Sequence, residues 1–373
     1  MHNGVTLFLT LKIFSATGGI EKVSRIVGMA LHELGSASGN KVKVLSMYDR
    51  DNEIDEKYFP ASMFRGFGIS KVNFVKSGIR EGVKSKIVVL SHVNLLKVGF
   101  LIKLFSPKTK LVLIAHGIEV WKPFSFWKRM MLKKCDRIFA VSDFTRDTMI
   151  SLNDLTEQQF EVLNNCIDPF LPKPLEEEKS AILLDKYELK KDDIVLMTLS
   201  RLAAKESYKG YDKVLLAVKD LKDQYPNIRY LIVGKYDIEE KRRIDSVIEK
   251  MELQRFVIFA GFIPDAELAV YFNLADIYIM PSKKEGFGIV FIEALYYGKP
   301  VIAGNKDGSV SALQNGKFGL LVNPDNQREI TAALKTMLID KESFLPDHKQ
   351  LMEKFSYPVY KENLKHKLDN LFT

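Results

Sequence analysis

Residues 281–300 have the sequence Pro281-Ser-Lys-Lys-Glu285-Gly-Phe-Gly288-Ile-Val-Phe-Ile-Glu293-Ala-Leu-Tyr-Tyr-Gly298-Lys-Pro300. It follows a short β-rich run, and its spacing predicts a helix that opens near Gly288 and closes at Gly298. A strand, a glycine-flanked turn and a helix in this order indicate an α/β unit, in which helices cover a parallel sheet.

Two glutamates flank the start of this predicted helix. Glu285 lies in the turn, and Glu293 lies about 8 Å along the axis from the first turn at 1.5 Å per residue. The N-terminus of a helix attracts anions, because its first amides are unpaired and its dipole is positive there. The arrangement fits a ligand with a phosphate centre and hydroxyl groups on both sides, such as a nucleotide sugar. An isolated glutamate pair is equally compatible with capping or pairing on a helix surface, although the apolar neighbours of Glu293 disfavour a solvated position.

On both sides of residue 170, short apolar runs alternate with amphipathic segments, a pattern that is typical of parallel sheets covered on both faces by helices. In the first half the pattern predicts strands over 5–10, 42–46, 87–91, 111–115 and 138–141, and helices over 23–34, stopped by Gly35, and over 95–105. In the second half it predicts strands over 194–199, 230–233, 257–259, 277–280, 301–303 and 320–322, and helices over 211–225, 266–274, 289–297, 327–338 and 358–372.

A Pro-rich, charged segment over residues 168–178, which includes Glu176 and Glu177, reads as a linker between the halves. We therefore predict two doubly wound, Rossmann-like α/β domains that face each other across a cleft. The predicted domains are residues 1–170 and residues 171–355, followed by a helical segment over 356–373.

Three weaker motifs lie where ligands bind in such sheets, at the carboxyl ends of strands. Arg201 and Lys209 follow one strand, and their charges suit a diphosphate. Gly18 and Gly19 follow the first strand and permit close approach of a phosphate. His116 lies at the end of another strand. Each motif also has an interpretation without a ligand. Arg201 and Lys209 could lie in a solvated basic loop, the two glycines could form an ordinary turn, and His116 could be a structural histidine. The glycines do not match a dinucleotide fingerprint or a P-loop.

Taken together, these motifs resemble the family 4 retaining glycosyltransferases of GT-B fold. The double-glutamate stretch looks like the signature of that family, and the segments 18–21, 115–121, 141–145, 163–168 and 200–212 also match in the order of the family. The resemblance covers residues 16–340, and it implies that residues 1–170 bind the acceptor, that residues 171–355 bind a nucleotide sugar, and that the C-terminal helix packs back on the N-terminal domain. Departures near Asn305–Ser309, at Cys166 and over 205–207 leave the identity of the donor open.

The resemblance also implies roles for individual residues. Arg201 and Lys209 would bind the donor diphosphate, Glu293 the ribose, and Glu285 the hydroxyls of the transferred sugar, while His116 would contact that sugar or stabilise its oxocarbenium-like transition state. The predicted catalytic residues are thus His116, Glu285, Arg201 and Lys209. The predicted donor-binding residues are Gly18, Gly19, Arg201, Lys209, Phe262, Ile263, Glu285, Phe287, Gly288, Ile289, Val290 and Glu293, with the nucleobase against Phe262 and Ile263.

The implied reaction is metal-independent hexosyl transfer with retention of anomeric configuration, by attack of the acceptor from the face that the diphosphate leaves. Cations and the helix dipole would supply the charge stabilisation that a metal supplies elsewhere. Asp49-Arg-Asp51 mimics a metal-binding motif, and we interpret it as a solvated loop. The choice among UDP, GDP and ADP, the sugar and the oligomeric state stay open.

Charge is distributed unevenly along the chain. Residues 1–170 hold 24 Lys and Arg against 16 Asp and Glu and so carry the whole net charge of +8. The segment Trp121–Lys134 mixes both tryptophans with cations, and Lys71, Lys76, Arg80, Lys84 and Lys86 form a second basic group, which suits an anionic membrane surface. We expect a peripheral, cytoplasmic-face enzyme with a lipid-linked or cell-surface glycan acceptor; a core-facing aromatic helix with a solvated basic face is the alternative, and no nucleic-acid motif accompanies the charge.

Other function classes are weaker. A NAD-type oxidoreductase needs a spaced glycine fingerprint with an acid about 20 residues beyond it, and neither half has one. A catalytically silent nucleotide-sugar-binding protein of the same fold predicts loss of Arg201, Lys209 or a glutamate, and all are present. A phosphorylase-like enzyme needs a Schiff-base lysine, and no lysine stands out. Two cysteines exclude a disulfide scaffold, and no apolar run approaches the ~20 residues of a membrane span.

Overall fold

The computed structural model describes residues 4–175 and 178–372, so Glu176 and Glu177 of the predicted linker lie outside the described residues. The chain divides into two compact units. The N-terminal unit comprises Met1–Asp168 and Tyr357–Thr373, and the C-terminal unit comprises Pro169–Ser356. The predicted boundaries, after residues 170 and 355, lie within two residues of these divisions.

The N-terminal unit is built on a seven-stranded sheet in the order β3-β2-β1-β4-β5-β6-β7, in which every neighbouring pair is parallel. The strands are β1 Val5–Thr10, β2 Lys41–Ser46, β3 Phe64–Gly66, β4 Ile87–Leu90, β5 Lys110–Ala115, β6 Arg137–Ala140 and β7 Phe160–Val162. The strand order reverses between β1 and β4. A crevice at the carboxyl ends of the strands is the usual ligand position at such a switch point.

Five helices connect these strands: α1 Gly19–Ser38, α2 Lys71–Gly82, α3 Leu96–Phe105, α4 Phe126–Leu132 and α5 Asp143–Asn153. Right-handed crossovers put α1 on one face of the sheet and α2 to α5 on the other. Accordingly, α2 contacts α3 and α3 contacts α4. The central strands are buried on both faces, which explains their continuous apolar sequences.

The prediction that Gly35 stops the first helix is wrong. Helix α1 continues to Ser38 and ends at Gly39, which has the left-handed conformation that a helix C-terminus favours. Gly35 instead permits close packing, because a Cβ there would lie 2.6 Å from Cγ2 of Val42 on the next strand.

The C-terminal unit contains a six-stranded parallel sheet in the order β10-β9-β8-β11-β12-β13. Its strands are β8 Ile194–Leu199, β9 Ile228–Val233, β10 Val257–Gly261, β11 Ile277–Met280, β12 Val301–Gly304 and β13 Leu320–Val322. Its helices are α6 Ala181–Lys186, α7 Tyr211–Leu221, α8 Ile238–Lys250, α9 Leu268–Leu274, α10 Ile289–Tyr296, α11 Ser309–Ala312, α12 Gln327–Ile339 and α13 His348–Phe355. The order reverses between β8 and β11, the strands that precede the Arg201 and Glu285 segments.

The C-terminal helix α14, Tyr357–Asp369, belongs to the N-terminal unit, as predicted. It contacts α1, and Lys361 Nζ lies 2.6 Å from a carboxylate oxygen of Glu33 on that helix. Lys367 Nζ lies 3.2 Å from Glu161 on β7. The prediction of two Rossmann-like α/β domains with a returning C-terminal helix is therefore confirmed.

Candidate functional site

The centre of the candidate site in the C-terminal unit is an ion pair between Lys209 and Glu285, which are far apart in sequence. Both side chains are largely buried, with 17% and 13% of their surface exposed. Burial by itself would lower the pKa of Lys209, but the charge and hydrogen bond of Glu285 outweigh burial and raise that pKa. Two side chains that were predicted to contact different parts of a donor thus contact each other.

Backbone contacts hold the two segments together. The amide of Lys283 donates to the carbonyl of Tyr208 at 2.9 Å. Gly210 adopts a left-handed conformation with φ of +85°, and a Cβ there would collide with the carbonyl oxygen of Pro281. Because only glycine tolerates both constraints, the sequence Lys209-Gly210 positions the lysine against the glutamate turn.

Asp307, which was not among the predicted site residues, anchors the Glu285 turn from the other side. Its carboxylate is fully buried and accepts hydrogen bonds from the amide of Glu285 at 2.8 Å, the amide of Ser309 at 2.9 Å and the hydroxyl of Ser282 at 2.8 Å. Burial, reinforced by the charge of Glu285, raises the pKa of Asp307 to about 6. A signal was present in the sequence, since Asp307 lies in the segment that departs from the family pattern.

Helix α10 begins where predicted. Gly288 precedes it with φ of +84°, and a Cβ there would collide with the ring of Phe291, so the turn requires glycine. Ile289 and Val290 form the first turn and are half-buried, and Phe287 is buried. The first amides of the helix therefore lie beside the Glu285 turn.

Glu293 is 2% exposed, so the expectation that its apolar neighbours would keep it from solvent is correct. Burial raises the pKa of Tyr278 well above its ordinary value, and the carboxylates of Glu285 and Glu293 both raise it further. The two carboxylates consequently lie within electrostatic reach of one phenol. That the two glutamates flank an anion site at the start of α10 stays a prediction.

Arg201 is the exposed member of the predicted set. Its side chain is 73% exposed and lies 2.5 Å from a carboxylate oxygen of Glu206, within the same segment. The structure therefore places Arg201 and Lys209 on one segment but in different environments, one solvated and one buried.

The two residues predicted to contact a nucleobase differ from each other. Phe262 is exposed, and the ammonium of Lys235 lies 4.6 Å from the centre of its ring, whereas Ile263 is buried. Phe262 follows β10 directly, next to the end of β9, where the amide of Gly234 donates to the carbonyl of Gly261 at 2.8 Å. An exposed ring at the carboxyl edge of the sheet offers a flat apolar surface.

In the N-terminal unit, His116 directly follows β5 and is 9% exposed. Its Nε2 lies 2.8 Å from the carbonyl oxygen of Ser91, and its amide donates to Glu119 at 2.6 Å. These contacts hold the imidazole at the carboxyl edge of β4 and β5. The position of His116 is thus compatible with a structural role, in which it links β4 to β5, and with the predicted contact to the transferred sugar.

Gly18 precedes α1 and Gly19 is its first residue. A Cβ on Gly18 would lie 2.5 Å from a carboxylate oxygen of Glu21, which is the flexible end of that side chain, and the φ of Gly18 is −77°, so the local geometry does not require glycine at this position. Glu21 therefore lies at the helix end that was predicted to receive a phosphate.

The prediction that Asp49 lies in a solvated loop is wrong. Asp49 is fully buried and accepts hydrogen bonds from the amides of Ile13 at 2.7 Å, Phe14 at 3.3 Å and Ser15 at 2.8 Å. It anchors the segment between β1 and α1. Within residues 4–175 and 178–372, no group of three His, Cys, Asp or Glu residues is arranged to hold a metal ion.

The aromatic segment around α4 is divided between core and surface. Trp121 packs edge-on against Phe144 with ring centres 5.0 Å apart, and Phe124 is buried. Phe126 and Trp127, in contrast, are 62% and 70% exposed. None of the helices described is long and apolar enough to cross a bilayer.

Comparison with known families agrees with this architecture. A family model described as Glycosyltransferase Family 4 matches residues 17–170, and one described as Glycosyl transferases group 1 matches residues 180–356. The two matches meet near the linker and correspond to the two units.

Curated relatives include the alpha-monoglucosyldiacylglycerol synthase of Acholeplasma laidlawii, which is 25% identical over 52% of this chain and 48% of its own length. A GDP-mannose-dependent alpha-(1-6)-phosphatidylinositol monomannoside mannosyltransferase of Mycolicibacterium smegmatis is 31% identical over 62% of this chain and 61% of its own. The chain thus spans about half to three-fifths of the length of these relatives.

Among solved structures, Anabaena HepE in complex with UDP superposes with a TM-score of 0.80 over 98% of this chain and 99% of that one, at 18% identity. At this identity the likeness shows the fold alone. Together with the two family models, it shows that this chain belongs to the family 4 glycosyltransferases of GT-B fold.

Proposed function

We propose that this protein transfers a sugar from a nucleotide-diphosphate sugar to a lipid-linked or glycan acceptor. The observation that carries the proposal is the placement of Lys209, Glu285 and the buried Glu293 around the N-terminus of α10. A cation and helix amides suit a diphosphate, and the carboxylates suit sugar and ribose hydroxyls. The relatives named above are a synthase of monoglucosyldiacylglycerol and a mannosyltransferase of phosphatidylinositol monomannoside, and these glycolipids support a lipid acceptor here.

The proposed reaction retains the anomeric configuration. The acceptor hydroxyl attacks the anomeric carbon from the face that the diphosphate leaves, the bond from that carbon to the phosphate oxygen breaks, and the departing oxygen takes the acceptor proton. Lys209 and the first amides of α10 stabilise the negative charge that grows on the diphosphate. Arg201, His116, Gly18 and Gly19 keep their predicted roles as parts of this proposal.

Metal independence is a further part of the proposal. A buried lysine and a helix dipole supply the charge stabilisation that a divalent ion supplies in other nucleotide-sugar enzymes. Sugar transfer should therefore proceed at an unchanged rate after treatment with EDTA. A rate that falls with EDTA and returns with added Mg²⁺ or Mn²⁺ would contradict this part.

The donor proposal is tested by thermal unfolding of the full-length protein with UDP, GDP, ADP and their sugar conjugates. A ligand at 100 times its dissociation constant should stabilise the folded state by roughly 2.7 kcal/mol. Glu293→Gln and Lys209→Ala should abolish the stabilisation, and the near-isosteric Glu293→Gln separates loss of binding from loss of folding. If no nucleotide raises the melting temperature of the wild-type protein, the proposal fails.

Peripheral binding to the cytoplasmic face of a membrane is the last part. The exposed rings of Phe126 and Trp127 lie among the cations of the N-terminal unit, and such mixtures bind anionic lipid surfaces. Flotation with anionic vesicles at low salt tests this. A protein that stays at the bottom of the gradient under these conditions does not bind membranes through this surface.

A further inference from the structure

The loop over residues 304–309, which begins at the end of β12, packs directly on the Glu285 turn, residues 282–286. A Cβ at Gly308 would lie 2.0 Å from the carbonyl oxygen of Gly286, far inside the contact distance of the two atoms. The two backbones therefore touch because residue 308 carries no side chain. This close approach makes the 304–309 loop one wall of the Glu285 turn.

Both backbone polar groups of Glu285 are bonded to this loop. The amide of Glu285 donates to the carboxylate of Asp307 at 2.8 Å, and its carbonyl accepts from the amide of Gly308 at 2.7 Å. Because two consecutive residues hold the N–H and the C=O of one residue, the backbone of Glu285 has little freedom to shift. The side chain of Glu285 is held separately, by its ion pair with Lys209.

The carboxylate of Asp307 is itself fixed on both oxygens. Its Oδ2 accepts from the amide of Glu285 and from the hydroxyl of Ser282, and its Oδ1 accepts from the amide of Ser309. These three donors are uncharged, and the side chain is fully buried. Such an acceptor has one orientation, so it can transmit a fixed position to the residue that it binds.

The charge of Asp307 is unfavourable for folding. Burial, reinforced by the charge of Glu285, raises the pKa of Asp307 to about 6, so the ionised form present at pH 7 is the less stable one in the folded protein. An anchor selected only for stability would not need this charge. A buried carboxylate kept at a cost in stability is typical of functional sites.

A second carboxylate joins the same two segments at the surface. Asp325 is exposed and pairs with Lys283 of the Glu285 turn and, at 2.9 Å, with Lys306 of the 304–309 loop. Ion pairs between exposed side chains fix geometry weakly. Asp325 bridges the segments through two lysine side chains, whereas Asp307 binds the backbone of Glu285, so the two aspartates form a matched comparison.

The predicted contacts to the nucleotide half of a donor are positioned by other elements. Lys209 is aligned by the left-handed Gly210 before α7, and Glu293 is buried within α10. Among the predicted donor-binding residues, Glu285 is the one that receives a hydrogen bond acceptor from Asp307. A change at Asp307 should therefore act on Glu285 first.

We propose that Asp307 is a positioning residue for recognition of the transferred sugar: it holds Glu285 where the Glu285 carboxylate binds sugar hydroxyls. The inference rests on the proposed function and deepens it by naming the residue that controls the sugar half of the donor site. A functional side chain must be held within about 0.5 Å of its working position, and a 1 Å displacement can cost about 100-fold. Asp307 lies where this chain departs from the family pattern, so the control belongs to this chain.

The experiment compares a nucleotide with its sugar conjugate on the full-length protein. Three probe pairs are used, namely UDP with UDP-glucose, GDP with GDP-mannose and ADP with ADP-glucose. The pair that stabilises the wild-type protein most in thermal unfolding is carried into calorimetry. The variant is Asp307→Asn, which replaces one acceptor oxygen by an NH2 group that cannot accept. The matched control is Asp325→Asn.

In Asp307→Asn we expect the affinity for the nucleotide sugar to fall by ~10-fold or more, and the affinity for the nucleotide alone to change by less than ~2-fold. Asp325→Asn should leave both affinities within ~2-fold of the wild-type values. A purely structural role would weaken both probes together. Equal losses for nucleotide and nucleotide sugar in Asp307→Asn, or no loss for either, would overturn the inference.

A double-variant cycle tests whether Asp307 acts through Glu285. In a Glu285→Gln background the carboxylate to be positioned is gone, so adding Asp307→Asn should weaken binding of the nucleotide sugar by less than a further ~2-fold. A further loss as large as that caused by Asp307→Asn in the wild-type background would show that Asp307 acts by another route, and the inference would fail.

Ser282→Ala keeps the test decisive if Asp307→Asn does not fold. It removes one of the three hydrogen bonds to the Asp307 carboxylate and leaves the carboxylate in place. We expect a loss of about 3-fold for the nucleotide sugar alone, the effect of one ordinary hydrogen bond. Wild-type affinity for the nucleotide sugar in a folded Ser282→Ala protein would contradict the inference.

The same measurements separate the two proposals. If nucleotides bind the wild-type protein and Asp307→Asn does not change the ratio of the two affinities, the role of Asp307 fails while the proposed function stands. If no probe binds the wild-type protein, the proposed function fails, and the role of Asp307 fails with it.

Discussion

Cations lie at the carboxyl edges of the sheets in both units, but they differ in burial and in pairing. In the C-terminal unit Lys209 is largely buried and paired with Glu285. In the N-terminal unit Lys122 is exposed, Lys128 is half-buried, and neither pairs with a carboxylate among the residues described. A buried pair holds a fixed geometry, whereas unpaired cations on a surface attract anions over a longer range. The comparison indicates a shaped site in one unit and an electrostatic surface in the other.

The largest expected effect comes from breaking the buried pair. Lys209→Ala leaves the carboxylate of Glu285, which is 13% exposed, without its counter-charge. Loss of one partner of a buried pair costs about 3–5 kcal/mol of unfolding free energy. Urea denaturation followed by circular dichroism measures it.

Arg201→Ala is the matched control, because it removes a cation from the same segment that is 73% exposed and paired with Glu206. It should cost less than about 1 kcal/mol. Similar losses in Lys209→Ala and Arg201→Ala would show that burial of the Lys209 pair does not distinguish it from a surface pair.

A smaller effect concerns pH and Asp307. Its pKa of about 6 lies above its ordinary value of 3.8, so between these values the folded state binds more protons than the unfolded state. The contribution of this group to stability is therefore present below pH 4 and is lost as pH rises through 6, by about 3 kcal/mol. The difference in unfolding free energy between the wild-type protein and Asp307→Asn should change by this amount between pH 4 and pH 7.

Asp325→Asn provides a control of opposite sign in the same unit. Hydrogen bonds from Lys283 and Lys306 lower the pKa of Asp325 to about 2. The contribution of Asp325 to the free energy of unfolding therefore changes with pH only below pH 4. The difference between wild type and Asp325→Asn should be flat from pH 4 to pH 7. A flat difference for Asp307→Asn as well would show that its carboxyl is not held in an unfavourable environment.

The smallest effect on folding, and a clear one on membrane binding, is expected from the exposed rings of the N-terminal unit. Phe126→Ala with Trp127→Ala removes apolar surface that is mostly solvent-exposed. The free energy of unfolding should therefore change by less than about 0.5 kcal/mol. Partition onto anionic vesicles should weaken by about 10-fold or more, because burial of such rings at a lipid interface stabilises binding by 1–3 kcal/mol each.

Ile339→Ala is the control, since Ile339 is 70% exposed in the C-terminal unit. It should leave vesicle binding unchanged. If it weakens binding as much as the aromatic variant does, the membrane surface is not confined to the N-terminal unit, and the contrast between the units is lost.

Much of the fold could be predicted because buried parallel strands have continuous apolar sequences. Strands β1, β8, β11 and β13 have the predicted bounds, and most others differ by one or two residues. The short strands β3 and β7 at the two edges of the N-terminal sheet were missed, because three residues are too few for a periodic pattern. Helix α8 was also missed, since its sequence is dominated by charged residues.

The candidate site was predicted in part. The burial of Glu293 followed from its neighbours, since Ile292, Ala294 and Leu295 lie in the core. For Phe126 and Trp127 the sequence left an exposed and a core-facing interpretation open, because an aromatic run has the same composition whether it faces the core or the solvent. The burial of Asp49 was missed for the opposite reason, since a polar loop sequence does not reveal which backbone amides will need an acceptor.

By itself, the sequence determined the α/β class, the two units, the family and the positions of its chemical groups along the chain. These features depend on the spacing of residue types along the chain, and folding does not change that spacing. The tertiary structure alone decided that Lys209 pairs with Glu285, that Asp307 anchors the glutamate turn, and that Asp49 accepts hydrogen bonds from the segment after β1. Such contacts join segments that follow different strands, and whether a charge is buried or paired depends on which of these segments the folded sheet brings together.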